Sequence, residues 1–279
     1  MPIHTVTTIL TGSAGLETQL HKAIAFARAY DAHLQVFTLA VGYDQPAGLA
    51  GALGAVPVAS ELADGRLQAQ ALAEKATTIL KPDDIRWDIL SIAVARANLA
   101  QCLAQHTRFS DLVILHRAKG EATEEAHVSL VQALLFDADT PLFVLPQASE
   151  MKVPARAIML AWDESSTALR AAKLAMPLLQ AANTVHIALV EPAKDASDRS
   201  DPGGAFAHFI ARHGVRNEVS VLNKTDDTVA QTLERRAKEI GCDLIVMGAY
   251  GHSRLRQALF GGTTRSMLEK STLPILLAH

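Results

Sequence analysis

The chain alternates short apolar runs with longer amphipathic segments along its whole length. The apolar runs are typical of strands buried on both faces, whereas the intervening segments repeat apolar residues with a helical period. We predict strands at residues 5–11, 33–41, 85–92, 111–115, 141–145, 155–162, 184–190, 217–222, 243–248 and 274–278. We predict helices at residues 18–30, 61–80, 96–107, 128–136, 166–179, 205–213, 227–240 and 265–271. Such alternation predicts an α/β fold with parallel sheets and helices on both faces.

The pattern of the first half is repeated in the second half. Three pairs of segments can be superimposed: 110–116 on 242–248, 139–146 on 272–279, and 7–11 on 157–161. Repeats of this length indicate duplicated domains rather than the shorter units of a solenoid. We therefore predict one domain at residues 1–149 and a second at 153–279, with the boundary near residues 147–153.

Composition narrows the class of protein. The formal net charge is −3 and the acidic and basic residues are interspersed, which argues against a nucleic-acid surface. No apolar run approaches the roughly 18–20 residues that span a bilayer, and the N-terminus does not resemble a signal peptide. The two cysteines, Cys102 and Cys242, are expected to be reduced and buried. We expect a cytoplasmic protein with neither nucleic-acid nor membrane partners.

A glycine-rich stretch follows the predicted strand at residues 243–248. It combines four glycines with two threonines ahead of the last predicted helix: Gly248, Gly251, Gly261, Gly262, Thr263 and Thr264. Glycine allows the backbone to approach a ligand closely, and a helix start offers unpaired N–H groups and partial positive charge. The stretch therefore predicts a site for an anion.

The spacing Gly248-x2-Gly251-x9-Gly261 resembles the nucleotide loop of the universal stress protein family. The segment 161–165, Ala-Trp-Asp-Glu-Ser, is similar to the adenosine-contacting segment of that family. The resemblance covers the whole chain and identifies it as a tandem member of the family. It implies two open five-stranded parallel sheets with strand order 3-2-1-4-5. It also implies that ATP or another adenine nucleotide binds the second domain, with Mg²⁺ held through the phosphates.

Within this resemblance, residues at the ends of three strands would contact the nucleoside. Asp163, after Ala161 and Trp162, could accept hydrogen bonds from a ribose hydroxyl or an adenine amine. It could instead cap the following helix, a role that Ser165 or Ser166 could share. Val190 and Met247 would give apolar contacts to the base, and core packing is an equally good interpretation of both.

The glycine loop would contact the ribose and the phosphates. Gly248 and Gly251 permit a turn against the ribose-phosphate, or an ordinary turn after a strand. The residues from Gly261 through Gly262, Thr263 and Thr264 would supply N–H groups and hydroxyls, and they could also simply begin a helix. The family places serine or threonine where this chain has Gly262. His252, Arg254 and Arg256 could add positive charge, although solvated arginines are the simpler interpretation.

The first half lacks these features. Ser13 stands where the second half has Asp163, His116 replaces Gly248, and Lys119 replaces Gly251. The acidic stretch at residues 121–125 would repel a triphosphate. We therefore expect the first domain to bind no nucleotide and to serve as a structural partner.

The chain has neither a phosphate-binding G-x-x-x-x-G-K-[ST] motif nor a dinucleotide fingerprint, a histidine metal motif or a serine-nucleophile elbow. We predict a stress-response protein that binds nucleotide as a regulatory ligand and is at most a weak ATPase. A scaffold that has lost nucleotide binding is the main alternative, and a slow ATP-hydrolysing enzyme is a further one. Strands 142–145 and 275–278 are expected to meet edge to edge in an intramolecular pseudo-dimer, and a homodimer is a further option.

Overall fold

The computed structural model describes residues 2–42, 56–117, 121–146, 151–192, 201–224, 226–249 and 262–279. These residues form the mixed α/β fold that the sequence predicts. They divide into two compact units, one of residues 3–140 and the other mainly of residues 141–279. Among the described helices, none is both long and apolar enough to cross a membrane.

The first unit is organised around a parallel sheet. Its strands are β1 (Thr5–Leu10), β2 (His33–Gly42), β3 (Trp87–Ala95) and β4 (Leu112–His116), in the order β3-β2-β1-β4. Its helices are α1 (Leu16–Ala29), α2 (Val56–Leu80), α3 (Leu99–Thr107) and α4 (Glu121–Gln132). Two shorter turns complete it, a 3₁₀ turn at Arg96–Asn98 and a π-helical turn at Ala133–Asp137.

The second unit has the same plan with an added strand. Its strands are β5 (Leu142–Leu145), β6 (Ala157–Ala161), β7 (Thr184–Val190), β8 (Asn217–Leu222), β9 (Leu244–Gly248) and β10 (Ile275–Ala278). Its helices are α5 (Ser166–Leu174), α6 (Met176–Ala181), α7 (Gly204–Arg212), α8 (Val229–Glu239) and α9 (Gly262–Lys270). The strand order is β5-β10-β9-β6-β7-β8, so β6 to β10 follow the predicted 3-2-1-4-5 arrangement.

Strand β5 groups with the second unit because it pairs with β10. The pairing is antiparallel, with Val144 opposite Ile275 and Leu142 opposite Leu277, whereas the other strand pairs of this unit are parallel. The expected meeting of these two strand edges is confirmed. Pairing satisfies backbone groups that an exposed sheet edge would otherwise offer to other chains.

The central strands are continuous apolar runs because both of their faces are covered. Ile245 and Val246 of β9 and Leu276 of β10 are completely buried. Burying a side chain of this size contributes about 1.5–3 kcal/mol relative to leaving it exposed. The ends of these strands are therefore fixed positions from which neighbouring polar residues can be placed.

An aspartate ahead of the fourth strand has the same role in both units. Its carboxylate accepts the two backbone N–H groups at the start of the first strand, those of His4 and Thr5 for Asp111 and those of Arg156 and Ala157 for Asp243. Hydrogen bonds from backbone N–H groups to a carboxylate are stronger than neutral ones. The shared arrangement supports the duplication that the sequence pattern predicts.

Three helices differ from the sequence prediction. The segment predicted as one helix at 166–179 is two helices, because Pro177 lies in the first turn of α6 and lacks the N–H needed to continue α5. Helix α2 begins at Val56 rather than in a loop that continues to residue 60, and Pro57 suits a first helical turn. Helix α4 begins at Glu121, where acidic residues favour a helix start.

Candidate functional site

The predicted site lies at the point where the strand order of the second unit reverses. Strand β6 pairs with β7 on one side and with β9 on the other, so Ala161 lies opposite both Ala188 and Met247. Ligands of open α/β sheets bind outside the carboxyl ends of strands at such a point. The fold thus brings together the two segments that the sequence singles out, 161–163 and 247–248.

Asp163 is exposed and forms a turn immediately after β6. Its Oδ1 accepts the backbone N–H of Ser165 at 3.0 Å, and Glu164 between them has a left-handed φ of 63°. The N-cap of α5 is Ser165, whose Oγ accepts the N–H of Ala168 at 3.1 Å. Asp163 therefore orders the turn that leads into α5, and Ser165 caps the helix.

Trp162 packs against an aromatic residue that the sequence pattern does not identify. Its indole stacks on the ring of Phe206 in α7, with centroids 3.8 Å apart and planes 2° from parallel. Phe206 is buried, and its ring is in turn 6.1 Å from that of Phe209. The backbone N–H of Trp162 donates to the carbonyl of Ala188 at 2.9 Å. Trp162 is thus held on both its backbone and its ring, and no local sequence signal links it to Phe206.

Gly248 ends β9 against the first turn of α5. A Cβ atom at this position would lie 2.5 Å from the backbone N of Ala168 and 2.7 Å from the carbonyl carbon of Thr167. Both neighbours are backbone atoms and cannot move aside as a flexible side chain would. Glycine is required here by close packing, which was not among the interpretations that the sequence suggested for Gly248.

The two apolar residues predicted to contact a base differ in their exposure. Met247 is buried, with 6% of its surface exposed, whereas Val190 at the end of β7 is partly exposed. Core packing therefore accounts for most of the Met247 side chain. Val190 presents the more accessible apolar surface at this edge of the sheet.

The start of α9 is the described part of the predicted phosphate loop. Gly262 is exposed, and a Cβ atom added to it would meet no atom within 4 Å, whereas Thr264 is buried. Thr263 is partly exposed, so its hydroxyl is the more accessible of the two. Gly251, His252 and Gly261 lie outside the described residues, as do the two arginines at 254 and 256.

Comparison with known sequences shows which family the second half of the chain resembles. The profile of the Universal stress protein family matches residues 154–279. The match covers 126 of the 279 residues and identifies residues 154–279 as a universal stress protein domain. Universal stress protein Slr1230 of Synechocystis sp. is 26% identical over 183 residues, which are 64% of this chain and 61% of the relative. The match therefore spans less than two thirds of that relative.

Solved structures extend the likeness in fold to both halves. A universal stress protein from Archaeoglobus fulgidus DSM 4304 covers 98% of this chain, with 97% of its own length, a TM-score of 0.70 and 15% identity. A functionally unknown protein of Pseudomonas aeruginosa PAO1 covers 99% of this chain, with 92% of its own length, a TM-score of 0.56 and 14% identity. At these identities the likeness is one of fold alone.

A carboxylate anchors the C-terminal end of α9 in the universal stress protein domain. Glu234 of α8 accepts hydrogen bonds from the hydroxyl of Ser271 at 2.6 Å and from the N–H of Thr272 at 2.9 Å. Burial raises the pKa of Glu234, but the hydrogen bonds from Ser271, Thr272 and Lys238 outweigh burial and leave the pKa below its ordinary value. This contact ties α8 to the turn between α9 and β10, and the sequence pattern gives no sign of it.

In the first unit, the position that corresponds to the predicted nucleotide site is built from different residues. Ser13 is exposed after β1, and His116 ends β4 where Gly248 ends β9. The N-cap of α1 is Gly15, which has a left-handed conformation with a φ of 71°. A Cβ atom added to Gly15 would lie 3.6 Å from Nδ1 of His116. An imidazole thus lies beside the amino end of α1. Lys119 is outside the described residues.

A surface cavity of about 230 Å³ lies beside β8 and α8. It is lined by Val221, Leu222, Asn223, Thr232, Arg235, Arg236 and Glu239. Arg235 is paired there with Asp226 and Glu239. The residues predicted from the sequence do not line this cavity, so we do not assign the predicted function to it. Among the described residues, no group of three or more His, Cys, Asp and Glu is placed to hold a metal ion.

Proposed function

We propose that the universal stress protein domain at residues 153–279 binds ATP, or another adenine nucleotide, as a regulatory ligand. The observation that supports this most directly is the register of β6 and β9, with Ala161 opposite Met247. This register brings the turn at Asp163 next to Gly248, which packs closely against α5, at the point where the strand order reverses. Ligands of open α/β sheets bind at such a point. The protein would act in a cytoplasmic stress response, with the nucleotide favouring one conformation.

The residues present fit an adenine nucleotide in three ways. Asp163 is an exposed acceptor for ribose hydroxyls or the adenine amine. Val190 offers apolar surface to the base. Helix α9 begins at an exposed glycine followed by a partly exposed threonine, and a helix start attracts phosphate through its N–H groups and dipole. Mg²⁺ would be held mainly by phosphate oxygens, as is common for this ion.

Intrinsic fluorescence can test the proposal because the chain has two tryptophans, and Trp162 lies at the candidate site. In a Trp87→Phe variant, ATP should change the Trp162 emission saturably. Protein denatured directly after purification should also release adenine nucleotide. ATP at a hundredfold excess over its Kd should stabilise the domain by about 2.7 kcal/mol. If no adenine nucleotide is released and none binds at millimolar ATP, the domain is not a nucleotide-binding one.

A scaffold function without nucleotide is the second candidate. The replacement of the family hydroxyl residue by Gly262 favours it, because one phosphate contact is then lost. The stacking of Trp162 on Phe206 also satisfies an aromatic ring without any ligand. The fluorescence and release experiments separate the two candidates. ATP turnover above about 1 s⁻¹, the low end of ordinary enzyme rates, would instead indicate an ATPase.

A Gly262→Ser substitution should strengthen ATP binding about tenfold or more, because a hydrogen bond to a charged group contributes about 1.5–3 kcal/mol. The position is open and has no left-handed φ, so the new side chain introduces no strain. Titration of Trp162 fluorescence measures the change. Gly262→Ala is the matched control, since it adds the Cβ without the hydroxyl. Equal gains from alanine and serine would contradict a phosphate contact and point to helix stability instead.

A further inference from the structure

Strand β8 lies at the end of the strand order and, among the described strands, pairs with β7 alone. It is six residues long, stays in unbroken register with β7, and contains neither lysine nor proline. Its Val219 and Val221 are 38% and 52% exposed. Proteins commonly protect an edge strand with lysine, proline or a bulge, because its unpaired backbone groups pair readily with another strand. Strand β8 is therefore open to pairing with a further strand.

The backbone groups that β8 leaves unpaired belong to every second residue. The carbonyl groups of Arg216 and Leu222 accept N–H groups from the β7 side, so they point towards β7. Successive residues of a strand direct their backbone groups to opposite edges. The N–H and carbonyl groups of Val219 and Val221 therefore point away from β7, at the open edge of the sheet.

The cavity beside β8 and α8 contains an arginine whose hydrogen-bonding capacity is not filled. Nε of Arg236 is shielded from solvent and has no hydrogen-bond partner, and its Nη1 is 3.6 Å from Oε2 of Glu239, beyond hydrogen-bond distance. The Arg236 side chain is 37% exposed. Leu222, the last residue of β8, lines the same cavity. A carboxylate that enters from the open edge of β8 would therefore find a cationic partner in Arg236.

We propose that two copies of the chain pair through β8, antiparallel, with Ser220 of one copy opposite Ser220 of the other. This register places Val219 opposite Val221 of the second copy. The backbone groups that both residues direct outwards then bond to each other, and the exposed valines cover each other. The small serine side chains meet at the twofold axis, where the two backbones approach most closely. The contact does not depend on nucleotide binding.

The same register brings opposite charges together. Glu218 of one copy stands opposite Leu222 of the second copy, beside the cavity that Arg236 lines. Opposite side chains of an antiparallel pair have Cβ atoms about 4.5–5.5 Å apart, so a glutamate reaches the cavity. Glu218 is 70% exposed and only 3.6 Å from His186, too far for a hydrogen bond, so its carboxylate can turn to Arg236. The twofold symmetry forms this charge pair twice.

Neighbouring registers fit the strand less well. With Val219 opposite itself, Val221 faces the polar Asn217, and Glu218 faces Ser220 instead of the cavity. With Val221 opposite itself, fewer residues of β8 overlap. One strand thus supplies both halves of the apolar contact and of the charge pair, which favours a second copy over an unrelated extended segment. Six-residue strands bury less area than a standard interface, so the dimer should be weak and dissociate on dilution.

Sedimentation equilibrium of the full chain, from about 1 to about 500 µM, measures the dimer in a range suited to a weak interface. Val221→Pro should weaken dimerisation about tenfold or more, because each copy loses one outward N–H donor. The pairing with β7 should survive, since it uses the backbone groups of the alternate residues. Val221→Thr is the matched control, because it keeps the N–H and the branched side chain, and it should dimerise nearly as the parent does.

Exchange of the charges tests the register without proline. Glu218→Arg and Arg236→Glu each place like charges opposite one another, so each variant alone should dimerise more weakly than the parent. Mixed in equal amounts, the two variants should form a heterodimer, because each then supplies the charge that the other needs. A heterodimer no tighter than the two homodimers contradicts the charge pair.

Cross-linking tests the twofold axis. In a Cys102→Ser background, Ser220→Cys should oxidise to a covalent dimer, because residues opposite each other at the axis lie within disulfide reach. Val219→Cys is the matched control and should cross-link far less, since Val219 faces Val221 and not itself. A chain that stays monomeric over the whole range, or one that cross-links through Val219→Cys in place of Ser220→Cys, overturns the proposal.

Discussion

Replacing Gly248 with alanine should destabilise the universal stress protein domain by about 3 kcal/mol and remove the proposed nucleotide binding. The new Cβ would lie 2.5 Å from the backbone N of Ala168 and 2.7 Å from the carbonyl carbon of Thr167. Overpacking of this kind typically costs about 1–3 kcal/mol, and backbone neighbours place it at the upper end. Relief requires α5 to move away from β9, which would also displace the Asp163 turn at the start of that helix.

Urea unfolding of the Trp87→Phe background, followed at Trp162, measures this loss. Gly262→Ala is the matched control, because its Cβ meets no atom within 4 Å and alanine favours a helix over glycine. We expect the control to be at least as stable as the parent protein. A Gly248→Ala protein of parental stability that has lost only ATP affinity would show that Gly248 serves the ligand and not the packing of α5.

Most strands were predictable from the sequence because they are apolar runs covered on both faces, although β8 at the end of the sheet order exposes Val219 and Val221. The repeat of the pattern at residues 110–116 and 242–248 was likewise visible, and the structure shows why in the shared role of Asp111 and Asp243. Helix ends were less predictable. Pro57 and Pro177 both lie in first turns, but residue type alone does not distinguish a proline that starts a helix from one in a loop.

The candidate site was predictable as a set of positions, but not as a set of contacts. The sequence placed Asp163 and Gly248 at strand ends, and the parallel register brings those ends together. It did not indicate that Trp162 stacks on Phe206, because that contact depends on how α7 packs against the sheet. It also did not indicate the packing of Gly248 against α5, since close approach between backbones has no side-chain signal.

The first unit should lose stability as the pH falls from about 6.5 to about 4, a range in which the second unit changes little. The pKa of His127 is about 4 in the folded protein, against about 6.5 for an unperturbed histidine. The unfolded chain therefore binds the proton first, and folding is favoured above pH 6.5 and progressively disfavoured below it. A shift of this size corresponds to at most about 3 kcal/mol, and the lowered pKa of His116 acts in the same direction.

Because each unit contains one tryptophan, fluorescence can follow the unfolding of each unit separately. Trp87 lies in β3 of the first unit, so a Trp162→Phe variant reports the first unit and a Trp87→Phe variant reports the second. In the second unit, Glu234 and Asp243 have lowered pKa values. Their protonation therefore costs stability only when the pH falls to about 4, the ordinary pKa of a carboxyl group, or lower. Urea midpoints should therefore fall first at Trp87.

Substitution of His127 tests whether this residue causes the loss of stability of the first unit at low pH. His127→Phe in the Trp162→Phe background should reduce the dependence of the Trp87 midpoint on pH between 6.5 and 4, because one of the groups that bind an extra proton on unfolding is gone. His21→Phe should retain the full slope, since His21 is exposed. If the full slope survives His127→Phe, another group must take up the proton, and the imidazole of His127 would not be the source of acid sensitivity in the first unit.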